Sequence, residues 1–195
     1  MTTPSDFDLF LERFVGNYTG PRIAAVISGG GVSLSGLALI PGASGVLYEV
    51  SCPYDTLATE RTIYLGNSMT RYFHKKAVSG DAAWEMARAF ENLHPYNTKV
   101  IAITSALTTT RFRRGENQAF ICIGDGNINS VYNLKLTKLP EEIYTDPIAS
   151  WKTHIIRKRK EEDRLVAEVA LKLATGFEAK ETLPVMFENK SLVML

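Results

Sequence analysis

The chain has 195 residues, 45% of them hydrophobic, and a formal net charge of +1. That length and apolar content support one continuous core without staples, and the near-neutral balance leaves no global field to draw in nucleic acid or an acidic membrane surface. The two cysteines, Cys52 and Cys122, lie far apart in apolar runs, which is neither a disulfide framework nor a metal-ligand spacing, so both are expected as buried thiols in a reducing compartment. The N-terminal stretch is polar and acidic, and no apolar run approaches the ~18 residues of a membrane span. A soluble, cytoplasmic protein with neither membrane nor nucleic-acid partners is expected.

Ser5 or Asp6 is placed to cap a first helix in which Phe7, Leu9, Phe10, Leu11, Phe14 and Val15 recur mostly at three and four positions. Next, the continuous apolar run 23–27 meets Gly29, Gly30 and Gly31 and then Leu34, Leu37 and Ala38 at helical spacing, with Pro41-Gly42 as the stop. This predicts buried strand, tight turn, helix. Residues 46–52 read as a second strand, after which Asp55 or Thr56 caps a short helix through 61–65. Ser79 caps a stronger helix, 81–93, whose Ala83, Met86, Ala87, Phe90 and Leu93 form one apolar stripe.

His94-Pro95 ends that helix, and 100–103 is a third buried strand stopping at Thr104-Ser105. A polar loop, 108–115, leads to strands at 119–123 and 131–139, joined through Gly124-Asp125-Gly126-Asn127, a hairpin signal. Asp146-Pro147 starts a last helix that carries Trp151, Ile155, Leu165, Val166, Val169, Ala170 and Leu173, in one piece or in two around the charge run 157–164, and closes at Thr175-Gly176. This order predicts a single three-layer α/β/α domain with a mixed sheet. An apolar extension at about 177–195 follows, whose Phe187, Leu192, Val193 and Leu195 are expected to bury against a second subunit.

In such a sheet, ligands sit beyond the carboxyl ends of the strands, here residues 28–31, 53–55 and 104–110. Glycine lets the backbone take positive φ and lets a ligand come close, while the helix that follows presents unpaired N–H groups and a partial positive charge. Ser28 is a candidate nucleophile at the turn, its plainer reading being a helix N-cap hydroxyl. Arg111, Arg113 and Arg114 beside three threonines read as a phosphate clamp or as a solvated loop. The run 157–164 reads as a solvated helix face with pairs such as Arg157 to Glu161 and Lys158 to Glu162. His74, His94 and His154 read as surface or capping residues, and neither a metal nor a cofactor is expected.

At this point the order of segments resembles the CinA-like family, the competence/damage-inducible protein C-terminal domain, whose characterised members are nicotinamide mononucleotide deamidases. The likeness rests on 25–31, Pro41-Gly42-Ala43-Ser44, 50–54, Ala77-Val78-Ser79 with Glu85-Met86-Ala87, Ala102-Ile103-Thr104 and 119–123, and spans residues 9–176. It implies a typically dimeric protein with a serine nucleophile in a Ser-x-Thr-Gly-Gly turn. It also implies a tyrosine ending the next strand, a lysine shortly after it, a threonine or serine at the third strand end, and an arginine near the start of the last helix.

Tyr54 and Thr104 match that pattern. Counted back from Pro41-Gly42, the serine position falls on Ile27 and the motif threonine on Gly29, while the lysine position falls on Thr59 and the arginine on Arg159 or Lys160. The resemblance thus implies a CinA-like protein that has lost deamidase activity and binds a nucleotide-like or other small anion through Gly29, Gly30, Gly31, Ser105, Arg111, Arg113 and Arg159. A one-residue slip gives the alternative, an amidohydrolase converting nicotinamide mononucleotide to nicotinate mononucleotide and ammonia. There Ser28 attacks while Tyr54 and Thr104 place the proton and the oxyanion.

Overall fold

Alternation along two central strands decides the architecture, because successive side chains of a strand point to opposite faces. In β1 (Ile23–Ser28), Ile23, Ala25 and Ile27 enter one core and Ala24 and Val26 the other. β3 (Lys99–Ala106) divides the same way, with Ile101 and Ile103 opposite in sense to Val100 and Ala102. Burial on both faces calls for helices on both. The computed structural model, which describes residues 5–66, 76–126, 129–145, 150–176 and 191–194, shows that three-layer arrangement.

The first layer holds α1 (Asp6–Asn17), a 3-10 helix (Val32–Leu39) and α5 (Ser150–Ala174). The opposite layer holds α2 (Thr56–Gly66) and α3 (Gly80–Leu93). Between them lies a mixed sheet of six strands, including β2 (Leu47–Ser51), β4 (Asn117–Gly124), β5 (Asn129–Leu136) and β6 (Ser191–Met194), in the order β2-β1-β3-β4-β5-β6. β1 runs parallel to β2 and β3, and every later pair is antiparallel.

The caps read from the sequence form as hydrogen bonds. The Ser5 hydroxyl accepts from Asp8 N at 3.3 Å, and the Asp8 carboxylate accepts from Ser5 N at 2.9 Å, a capping box. The Ser5 side chain and then its backbone hold the Asp8 carboxyl below its usual range. This cap therefore contributes fully above the ordinary aspartate range and is lost as pH falls from there through the lowered folded-state pKa. The Ser79 hydroxyl accepts from Ala82 N at 3.2 Å to start α3.

Two expectations change, at the glycine turn and at Cys52, and one left open, the last helix, is decided. The helix after the glycine turn is 3-10 rather than α: Leu34 and Leu37 stand three apart, matching its repeat, and the Ser35 hydroxyl donates to Val32 O at 2.7 Å, tightening the turn. The last helix is one unbroken rod of 25 residues, with no glycine or proline inside it. A short α4 (Glu142–Thr145) precedes it, while the Asp146-Pro147 start lies outside the described residues.

Cys52 is exposed rather than buried, because β2 is an edge strand that ends at Ser51; Cys122 is buried. Of the apolar end, Leu192 and Val193 pair their backbone with Leu134 and Asn133 of this chain's own β5. Phe187 and Leu195 lie outside the described residues. Among the described residues no helix is long and apolar enough to cross a membrane.

Candidate functional site

Register brings the strand ends together. β1 pairs with β3 so that Ser28 stands opposite Thr104, and with β2 so that Val26 stands opposite Ser51. Parallel pairing puts all three carboxyl ends at one edge of the sheet, where α2, the glycine turn and the middle of α5 converge.

The Ser28 hydroxyl, half-buried, lies 3.4 Å from the Thr59 hydroxyl of α2. Thr59 is buried and donates its proton to Pro53 O and Asp55 O, both at 3.1 Å. A threonine carries one hydroxyl proton, so when the Thr59 proton is given to either carbonyl, Ser28 is the donor between the two hydroxyls. The relay Ser28 to Thr59 therefore ends on backbone carbonyls, which take up no proton. Thr104 is fully buried, and its hydroxyl donates to Ser79 O at 3.1 Å, fastening the strand end to the start of α3.

The turn itself adopts the backbone that glycine permits, with φ of +107° at Gly29 and +98° at Gly31. A Cβ on Gly29 would stand 2.5 Å from Ser105 O. Gly29→Ala is therefore expected to destabilise the fold by about 2–4 kcal/mol, combining left-handed strain with displacement of β3; urea unfolding checks it.

The N–H groups expected to cradle a ligand anion are already engaged within the chain. Gly30 N donates to the Ser105 hydroxyl, which donates back to Gly30 O at 3.2 Å. Asp163 of α5 takes the rest: one carboxylate oxygen accepts from Gly31 N at 2.6 Å and Val32 N at 3.0 Å. The other accepts from Ser33 N at 2.8 Å and from the Ser33 hydroxyl. A carboxylate thus sits where helix-start N–H groups and the helix dipole favour negative charge.

A second carboxylate of α5 holds the loop after β3. Glu162, only 3% exposed, accepts from Thr108 N at 2.6 Å, the Thr108 hydroxyl at 2.9 Å and Asn117 Nδ2 at 3.0 Å. The charge run is therefore not a solvated face. Arg157 and Glu161 do pair at 3.0 Å on the outside, but Glu162 turns inward instead of meeting Lys158. Ile155, Arg159, Glu162, Asp163 and Val166 recur at three and four positions and share the inner side of the helix.

Arg159 closes the rim, one guanidinium nitrogen donating to Thr108 O at 2.9 Å and the other to the Tyr54 hydroxyl at 3.0 Å. Tyr54 is otherwise exposed. Arg113 is committed elsewhere: it donates to Leu107 O and to Asn117 Oδ1, both at 2.9 Å, and bolts the loop to β4. Arg111 and Arg114 are exposed on the same loop.

Cys52 sits at the end of β2 beside this edge, where burial and the Asp163 carboxylate push its pKa up. It is a neutral thiol, not a thiolate nucleophile. An adjoining groove of about 540 Å³ is walled by Ser51, Cys52, Pro53, Leu57, Arg61 and Leu65. A larger groove of about 1030 Å³ lies between α1 and α5, lined by Phe7, Phe10, Phe14, Arg164 and Lys172, and Ser28 takes no part in it. Among the described residues no cluster of three or more His, Cys, Asp or Glu side chains could hold a metal ion.

Ser28, Gly29, Gly30, Gly31, Thr104, Ser105, Tyr54 and Arg159 are thus gathered at one edge, while Arg113 is committed to Leu107 O and Asn117 Oδ1 and Arg111 is exposed on the loop after β3. Thr59 enters as the direct partner of Ser28, and Asp163, Glu162 and Asn117 enter from sequence-distant elements. His74 lies outside the described residues, and His154 is exposed.

No protein-family model and no curated protein matches the chain. Solved structures do. The competence/damage inducible protein CihA from Agrobacterium tumefaciens superposes with a TM-score of 0.64 at 18% identity, covering 91% of this chain and 99% of that one. A CinA superfamily protein from Klebsiella pneumoniae gives 0.58 at 12% identity, over 88% and 99%. Another from Escherichia coli gives 0.53 at 14%, over 90% and 92%. The chain has the fold of the competence/damage-inducible CinA superfamily proteins.

Proposed function

We propose that this protein is a CinA-fold domain that no longer deamidates nicotinamide nucleotides and that keeps the strand-end edge as a binding site for a small nucleotide-like or other anionic ligand. The carrying observation is the Ser28 relay. An attacking serine must hand its proton to a base, and the neighbour of the Ser28 hydroxyl is a threonine hydroxyl set against backbone carbonyls, none of which is a base. Arg159, also at the rim, stays protonated and cannot serve as base. Asp163 is held by four donors. Because that carboxylate fills the glycine turn, a ligand's anion is assigned to Arg159, whose guanidinium has donors left beyond Thr108 O and Tyr54.

One observation favours the alternative, an amidohydrolase built on Ser28: its hydroxyl faces Thr59 and caps no helix N–H. Ile27, by contrast, is fully buried. Incubation with nicotinamide mononucleotide decides between them. No ammonia above the blank is expected, with Ser28→Ala unfolding within about 1 kcal/mol of wild type. Ammonia release that Ser28→Ala abolishes would establish the hydrolase instead. For the binding half, a nucleotide monophosphate at a hundred times its Kd is expected to stabilise the protein by about 2.7 kcal/mol, and Arg159→Ala should remove the effect. A flat thermal shift across mono- and dinucleotides overturns it.

A further inference from the structure

His94 caps the end of α3, away from the Ser28 edge, and both of its ring nitrogens have partners. Its imidazole is 4% exposed. Nδ1 is 2.6 Å from Phe90 O, and Nε2 is 3.0 Å from Oε2 of Glu49 on edge strand β2. Both oxygens are acceptors, one a carbonyl and the other a carboxylate. A neutral imidazole has a single N–H and must turn a lone pair toward one of them, whereas the imidazolium donates to both. Its surroundings also suit a cation. The Phe90 ring centroid lies 4.3 Å away, and Tyr48 meets the ring edge-on at 5.2 Å. The residue occupies the helix C-cap, where the dipole favours positive charge.

We propose that His94 is held as an imidazolium and acts as a proton-dependent clasp fastening edge strand β2 to the C-terminus of α3. The consequence reaches the site through the chain, since β2 runs directly into Pro53, Tyr54 and Asp55 and then into α2 with Thr59. Loosening β2 frees the segment that presents Tyr54 and Thr59. The inference is independent of whether the site turns anything over.

The charged and titratable groups around the clasp are few. Glu49 and Tyr48 come from β2, and the Arg22 guanidinium just before β1 stacks over the Tyr48 ring at 4.7 Å. Glu91 on α3 directs its carboxylate away, to Gly126 N at 3.1 Å and Asn129 Nδ2 at 3.2 Å. Glu49 is thus the acid that faces His94. The sign follows from the two acceptors: the clasp contributes while both ring nitrogens carry protons and weakens when one of them is bare.

The test compares unfolding of wild type, Glu49→Gln, His94→Asn and the double variant between about pH 5.5 and pH 8.5, with ring-nitrogen NMR of His94. The expected result is a Glu49–His94 coupling of about fivefold or more in the unfolding equilibrium at acid pH that shrinks toward unity at alkaline pH. Both ring nitrogens of His94 should bear protons at the acid end. Glu49→Gln keeps the shape of the half-exposed partner, so the test survives if His94→Asn folds poorly. A coupling that does not change with pH, or one ring nitrogen bare throughout the range, overturns the proposal.

Discussion

Glu162→Ala is expected to cost about 3–5 kcal/mol of stability, from lost charge-assisted bonds and from two donors stranded in the interior. The side chain is 3% exposed and satisfies Thr108 N, the Thr108 hydroxyl and Asn117 Nδ2 at once. Thr108 N has no other acceptor once the carboxylate is gone, and the loop it begins carries Arg113 and the carbonyl that Arg159 binds. For a chain of this size each kcal/mol lowers Tm by about 2–4 °C, so the variant should melt about 6–20 °C early. Glu162→Gln should fall between, because its amide can accept one of these bonds but turns its own N–H groups against another donor. Urea unfolding measures both. A loss below about 1 kcal/mol for the alanine would mean that solvent reaches the loop and replaces the carboxylate.

The second large effect is expected at Asp163. Asp163→Ala removes the acceptor for Gly31 N, Val32 N, Ser33 N and the Ser33 hydroxyl, and should cost about 2–4 kcal/mol, lowered somewhat by water entering this partly buried place. The variant also separates two roles. If the carboxylate is the anion that the glycine turn was built to hold, sulfate at tens of millimolar should raise the Tm of Asp163→Ala more than that of wild type, because the vacated N–H groups accept it. Equal salt effects on the two proteins would show that Asp163 serves only to dock α5. In wild type, α5 and the turn are joined by this carboxylate, so the variant should also speed hydrogen exchange at Gly31, Val32 and Ser33.

Much of this molecule could be read in one dimension. The 3.6-residue stripes of α1 and α3, their serine caps, the doubly buried runs of β1 and β3 and the hairpin of β4 and β5 are local signals, and each appears where the pattern puts it. The 3-10 turn was less legible, since Leu34 and Leu37 at a spacing of three suit either helix, and the choice falls to Ser35 bonding back to Val32 O. Arg113 was misleading for a related reason. A guanidinium beside threonines looks like a phosphate clamp until the fold brings Leu107 O and Asn117 Oδ1 to it.

His94 shows the same limit, since nothing near it in the chain announces a carboxylate from β2. Asp163 and Glu162 sit in a run of charges that satisfies every criterion for a solvated helix face. Whether an acid faces water or an N–H depends on what lies across from it, here residues more than a hundred positions away for Asp163.

The sequence by itself determined the order of elements, the doubly buried centre of the sheet and the glycine conformations after Ser28, because hydrophobic period, capping chemistry and the absence of a Cβ act over a few residues. Only the tertiary structure decided the state of the site. Parallel register set Ser28 beside Thr59, and the seating of α5 set the Asp163 carboxylate on the glycine turn. Both are meetings of groups that chain distance leaves unrelated, and their energies come from desolvation and pairing that exist only once the layers have packed.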